Sequence, residues 1–156
     1  MSAARTLERY LDEHHVRYDM VTHPSTPTTM RAAVAAHINA DCLAKAVMLA
    51  DEQGYVMAVV PATHQVRLRR LREETGRNLH LASEMAFAPM FPDCVVGAIP
   101  PLGMAYGMDT IWDDSLMERE EIYFEAGDHE CLMHVCGRDF IDMMSGCKHG
   151  RFSTHI

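Results

Sequence analysis

Apolar positions recur at helical spacing twice near the start of the chain. Ala4, Leu7, Tyr10 and Leu11 form a stripe that predicts a surface helix over residues 3–14. Met30, Ala33, Val34, His37 and Ile38 fall on one face of a second predicted helix, capped by Thr28 or Thr29 and ending near Asn39. Between them Val16, Tyr18 and Met20 alternate with Arg17 and Asp19, a short strand, and His23-Pro24-Ser25-Thr26-Pro27 forces a loop. Ala44–Ala50 and Tyr55–Val60 are nearly continuous apolar runs joined by Asp51-Glu52-Gln53-Gly54, and so read as two central strands. Residues 66–75 predict a basic helix stopped at Gly76. Leu79–Ala82 is a short strand, and Ser83 caps a brief helix that Pro89 and Pro92 end. Val95 to Gly103 has a strand-like start but carries two prolines bracketed by glycines, which makes it a shaped loop. Met108–Trp112, Ile122–Ala126 and Cys131–Cys136 read as strands, the last two a hairpin turning at Gly127-Asp128. A last helix, Phe140–Met144, closes at Gly146. The expectation is an α/β domain over residues 1–146: a mixed sheet of about six or seven strands with peripheral helices, an early β-α crossover and a late antiparallel meander. Residues 147–156 read as a polar, frayed tail.

With 156 residues the chain can bury roughly 70% of its unfolded surface in one core, so it needs no disulfide scaffold. Apolar residues make up 48% and charged residues 23%, which excludes disordered and fibrous classes. No apolar stretch approaches the ~20 residues of a membrane helix, and Arg5, Glu8 and Arg9 interrupt any signal-like start. The five cysteines are odd in number and lack paired spacing, which points to a reducing cytoplasm. The net charge of −8 is uneven: residues 1–100 carry ten basic and eleven acidic groups, residues 101–156 four and eleven. Duplex DNA is thereby an unsuitable partner, while Arg67, Arg69, Arg70, Arg72 and Arg77 leave room for a local, weak RNA contact.

Lys45 stands inside an apolar strand and shares a face with Val47 and Leu49. Such a lysine either snorkels to solvent at a strand end or serves a pocket, anchoring a phosphate or a carbonyl oxygen. The stretch Gly97-x-x-x-Pro101 is the second candidate. Glycine permits close backbone approach and free amide donors, and Pro100 and Pro101 stiffen the loop; the ordinary alternative is a tight strand connection. In His129-Glu130-Cys131-Leu132-Met133-His134-Val135-Cys136 the two histidines are five apart and point to opposite faces of a strand, so the spacing argues against a metal. His134 can line a pocket or sit at a core edge. There is no Gly-x-Ser-x-Gly elbow, no dinucleotide fingerprint and no phosphate loop. The thirteen methionines are read as packing.

Taken in order, several features resemble one family: the Lys45 strand, the strand reaching Val60-Pro61, the basic helix and Leu81-Ala82-Ser83. The Gly97-Ala98-Ile99-Pro100-Pro101-Leu102-Gly103 loop, Asp113-Asp114-Ser115-Leu116 and Glu121-Ile122-Tyr123-Phe124-Glu125-Ala126-Gly127 complete the set. It is the YbaK/prolyl-tRNA-synthetase-associated domain family, and the similarity runs from about residue 5 to 146. The resemblance implies a partly barrel-like sheet and an aminoacyl-tRNA deacylase that removes a wrongly attached small amino acid from the tRNA 3′ end. Such an enzyme is freestanding or works beside a synthetase, and the reading of this sequence calls for no cofactor and no metal. In that reading Lys45 holds the terminal adenosine or aminoacyl group and Gly97 and Pro101 shape the carbonyl site. Ala98, Ile99, Pro100 and His134 contact substrate, and the ribose hydroxyl of the substrate helps activate water. Such editing has a physical rationale, because a synthetase pocket gains only ~1–3 kcal/mol per methylene and misloads small amino acids. Met90-Phe91-Pro92-Asp93-Cys94 departs from the commonest family pattern before the loop. This departure favours the alternative of a noncatalytic module binding a tRNA end, a small molecule or a protein.

Overall fold

The computed structural model describes residues 3–26 and 28–156; Pro27, the end of the predicted His23–Pro27 loop, lies outside the described residues. Helix α1 (Arg5–Glu13) presents Leu7 and Leu11 to the core, as its stripe requires. Strand β1 (Asp19–Thr22) begins later than the Val16–Met20 alternation predicts, because the Val16 N–H still donates back to Leu11 O at the end of α1. Helix α2 (Thr29–Ala35) starts at the predicted cap, with the Thr28 hydroxyl accepting from Arg31 N–H. Its buried face differs from the predicted one. Ala32 and Ala33 face inward while Val34 is 74% exposed. Alanines let the helix lie close to the sheet, and His37 at φ 57° breaks the helix before the predicted stripe is complete.

Strands β2 (Leu43–Asp51) and β3 (Gly54–Pro61) form a full antiparallel hairpin, running from Ala44 opposite Pro61 to Asp51 opposite Gly54. After β4 (His64–Val66), helix α3 (Leu68–Thr75) ends at Gly76 in the left-handed conformation. Strand β5 (His80–Leu81) pairs with β2, and Ser83 caps α4 (Glu84–Phe87) by accepting from Ala86 N–H. Strands β6 (Asp109–Asp113), β7 (Glu121–Glu125) and β8 (Cys131–Cys136) lead into helix α5 (Gly137–Met143). The main sheet runs β1-β8-β7-β2-β3-β6 and ends on β9 (Lys148–Gly150), with β2 and β3 at its centre as their apolar runs predict. The expected late meander is not there. β6 lies parallel to β3, while β7 and its hairpin partner β8 sit beyond β2. An apolar five-residue run fits any buried strand position and does not select its neighbour.

Residues 147–156 are not frayed. β9 pairs in parallel with β6, β10 (Ser153–His155) pairs with β4, and Phe152 between them is fully buried with its N–H donating to Asp113 Oδ1 at 2.9 Å. The polar residues there are held by ladders to neighbours distant in sequence. One sheet face packs on α1, α4, α5 and the aromatics Phe87, Phe91, Trp112, Phe124 and Phe140. The opposite face carries two smaller clusters, one under α3 and Phe152, the other around Ala32 and Ala33 of α2. Among the described residues no helix is long and apolar enough to cross a membrane.

Candidate active site

The parallel pairing of β2 with β7 covers only Leu43 opposite Tyr123 and Ala44 opposite Phe124. Lys45 and Glu125 are the next residues on the two strands, where the ladder stops. Lys45 is half-buried there, with its ammonium 3.4 Å from Ala62 O, and burial lowers its pKa.

The loop closes on this region from the β7–β8 turn. The Val95 N–H donates to Gly127 O at 2.7 Å, and Ala98 N–H donates back to Val95 O at 3.0 Å. Gly97 occupies the third position of that turn at φ 90°, which only glycine adopts without strain. The turn uses the Ala98 amide internally; among the described residues the Val96 and Gly97 N–H groups donate to no protein acceptor. Gly97 is exposed, and Ala98, Ile99, Pro100 and Pro101 are buried and fix the loop to the core.

The preceding Met90–Cys94 stretch is firmly anchored. Phe91 is buried against Phe87 and Tyr106, the Tyr106 hydroxyl donates to Asp93 Oδ1 at 2.9 Å, and Thr6 N–H donates to Asp93 Oδ2 at 2.8 Å. Burial pushes the neighbouring Cys94 thiol up to about 12, so it is an inert packing group rather than a nucleophile.

His129 ties the turn to the loop. It sits at φ 64°, its Nε2 lies 2.9 Å from Val96 O, and its Nδ1 faces Glu125 Oε2 at 3.7 Å. Glu125 is only 2% exposed, and burial, with Asp128 nearby, pushes its carboxyl up to about 8. Asp128 Oδ1 accepts from the N–H groups of Glu130 and Cys131, which fixes the turn. His129 thus links Glu125 to Val96, beside Gly97, and Lys45 stands one residue past the last β2–β7 pair.

Neither Glu125 nor His129 was singled out as a site residue by sequence reasoning. The available signals were an acid interrupting the apolar Ile122–Ala126 strand and a histidine at the hairpin tip. His134, which was singled out, stacks on Tyr123 at 4.6 Å and lies between Asp19 (3.4 Å) and Glu121 (3.1 Å). None of these partners belongs to the loop, and His134 lines a separate open cleft of about 660 Å³ with Arg17, Asp139 and Cys136. Another cleft, of about 400 Å³, lies at the β6–β9 edge around Arg77 and Lys148. Arg77 there is bound to Asp51 at 2.6 Å and lies 3.6 Å from Asp109, so its charge is already matched. The predicted basic surface shrinks accordingly: Arg77 is engaged, Arg72 donates to Leu79 O at 2.9 Å, and Arg67, Arg69 and Arg70 remain exposed.

Several solved structures share this fold. A "hypothetical protein APE2540" aligns with TM-score 0.85 and 18% identity over 96% of this chain and 100% of its own. A "putative trans-editing enzyme for prolyl tRNA synthetase" aligns with TM-score 0.83 and 18% identity over 99% of this chain and 98% of its own. No curated protein matches the chain significantly. The family model for the aminoacyl-tRNA editing domain matches residues 23–143, a span that holds β2, the loop and the β7–β8 turn. The chain therefore belongs to the aminoacyl-tRNA editing domain family, the YbaK type that its Lys45 strand and Gly-x-x-x-Pro loop resemble.

Proposed function

We propose that the protein is an aminoacyl-tRNA deacylase that hydrolyses the ester of mischarged tRNA bearing a small amino acid. The observation that supports this reading is the Gly97 turn, tied through His129 to Glu125 where the β2–β7 ladder stops and Lys45 follows on β2. Lys45 anchors the terminal adenosine through a phosphate or hydroxyl oxygen. The amides of Val96 and Gly97, on exposed residues, receive the ester carbonyl oxygen as negative charge develops on it, and the rigid prolines hold them there without reorganisation. Water attacks the carbonyl carbon, the carbon–ribose oxygen bond breaks, and the ribose hydroxyl and the free amino acid leave. The ribose hydroxyl of the substrate helps orient that water. An aminoacyl ester is already activated, so positioning and a few fixed donors suffice without a nucleophilic triad.

The exposed Arg67, Arg69 and Arg70 supply only local tRNA contact beside an acidic C-terminal third, so a synthetase is the partner that would deliver the substrate. Deacylation of tRNAs mischarged with alanine, serine, cysteine and threonine tests this reading. At least one is hydrolysed by the intact protein, and Lys45→Ala slows it by about tenfold or more. A rate unchanged in Lys45→Ala removes that residue from the mechanism. No hydrolysis of any substrate, even with synthetase added, replaces the enzyme with a noncatalytic binding module.

A further inference from the structure

The cleft of about 400 Å³ at the β6–β9 edge has no part in the chemistry proposed above. It is lined by Val56 at the start of β3, whereas Lys45 pairs with Val60, about 13 Å further along that strand. Val56 lies beside Asp109 and Ile111 beside Lys148, and Asp109 and Ile111 alternate onto the same face, so both charges stand next to apolar side chains. Met104 and Met108 complete the apolar wall. Arg77 is held rigidly at the rim. Its Nε and Nη2 donate to the two Asp51 oxygens at 2.7 and 2.6 Å, and its side chain is only 17% exposed. Nη1 is left over: it lies 3.6 Å from Asp109 Oδ2, outside hydrogen-bond distance, and donates to no other acceptor among the described residues. The Asp109 side chain is 83% exposed with no other ionic partner, and the exposed Lys148 makes no ion pair among the described residues.

We propose that this cleft binds a zwitterionic small molecule, a free α-amino acid with an apolar side chain, at a site separate from the one around Lys45. The charges in and around the cleft already balance, Arg77 and Lys148 against Asp51 and Asp109. A lone anion or cation leaves an excess charge there, whereas a ligand carrying both signs adds none and supplies a partner to each unmatched group. The ligand carboxylate sits on Arg77 Nη1 and Lys148, and its ammonium on Asp109. Its side chain lies against Val56, Met104 and Met108, whose unbranched thioethers adapt to its shape. Asp51 has already fixed the guanidinium, so binding costs little ordering of that side chain. The volume suits a ligand of this size. None of this depends on the deacylase reading.

Chemical-shift titration of the isotope-labelled full chain with L-leucine as the probe tests the site. L-Leucinamide and N-acetyl-L-leucine each lack one of the two charges, and glycine carries both but no side chain. Leucine should bind at least about tenfold more tightly than any of the three. Asp109→Asn, at an exposed position, should weaken leucine at least about fivefold and leave N-acetyl-leucine within about twofold, with near-ultraviolet dichroism confirming that the variant is folded. Lys45→Ala should leave leucine affinity unchanged, because the two sites are separate. No saturable shift with leucine, equal affinity for a singly charged analogue or for glycine, or undiminished binding in folded Asp109→Asn overturns the proposal. Loss of leucine binding in Lys45→Ala also overturns it and places the amino acid at the Lys45 site. Leucine binding with the expected pattern in a protein inactive on every mischarged tRNA removes the hydrolytic reading and leaves the zwitterion site standing.

Discussion

Glu125→Gln is expected to melt above the parent protein at pH 8–9 and to lose the decline in stability that the parent shows as pH rises from about 5 to 8. Burial raises the folded-state pKa of Glu125 from 4.5 to about 8. Below the unfolded value both states hold the proton and the contribution is fully present. Between the two values only the folded state holds it, so stability falls with rising pH at about 1.4 kcal/mol per unit and is lost through the folded pKa. The span corresponds to about 4–5 kcal/mol, on the order of 10 °C in melting temperature for a chain of this size. Glutamine matches the shape and carries no charge. Thermal melts of both proteins from pH 4.5 to 9 read the difference. Parallel curves would show that Glu125 ionises freely in the folded protein.

Gly137→Ala is expected to destabilise the protein by about 3 kcal/mol or more, with Gly146→Ala nearly neutral. Gly137 follows β8 directly, and its N–H donates to Glu120 O at 2.7 Å. A Cβ there would lie 3.0 Å from Arg119 C and 3.1 Å from Glu120 C and overlap the Arg119 carbonyl oxygen. All three atoms belong to the backbone just before β7, so relief requires moving the strand that carries Glu125. A Cβ on Gly146 meets nothing within 4 Å. Urea denaturation midpoints compare the two variants, and a Gly137→Ala midpoint equal to that of the parent would mean that the residue 119–120 turn is soft.

The central hairpin was legible because β2 and β3 are buried on both faces, and only a nearly continuous apolar run satisfies that. The C-terminal strands were not, since Lys148-His149-Gly150 has no alternation of its own and becomes a strand through its ladder to β6. A single Phe152 among polar residues gives no period to read. The end of α2 escaped for a different reason: His37 adopts a positive φ that few side chains take, against a periodicity that continues to Ile38. At the site, Lys45 and the glycine-proline loop stand out as local anomalies in the chain. His129 acquires its meaning only when the hairpin tip folds onto Val96, 33 residues earlier, a relation that spacing does not encode. His134 has a plausible position in the order of motifs, yet a stacked tyrosine and two acids take up its ring.

The short β2–β7 ladder has a mechanical meaning. Eight residue pairs weld β2 to β3, whereas two join β2 to β7, so the sheet is two stiff plates meeting along a compliant seam. Lys45 and Glu125 follow directly at the end of that seam. In the deacylase proposed above, a bulky substrate side chain pressed against that joint would strain the alignment of Lys45 with the Gly97 turn, and a small one would leave it true. For the proposed deacylase, size discrimination would then come from elasticity of the sheet as well as from the volume of a cavity.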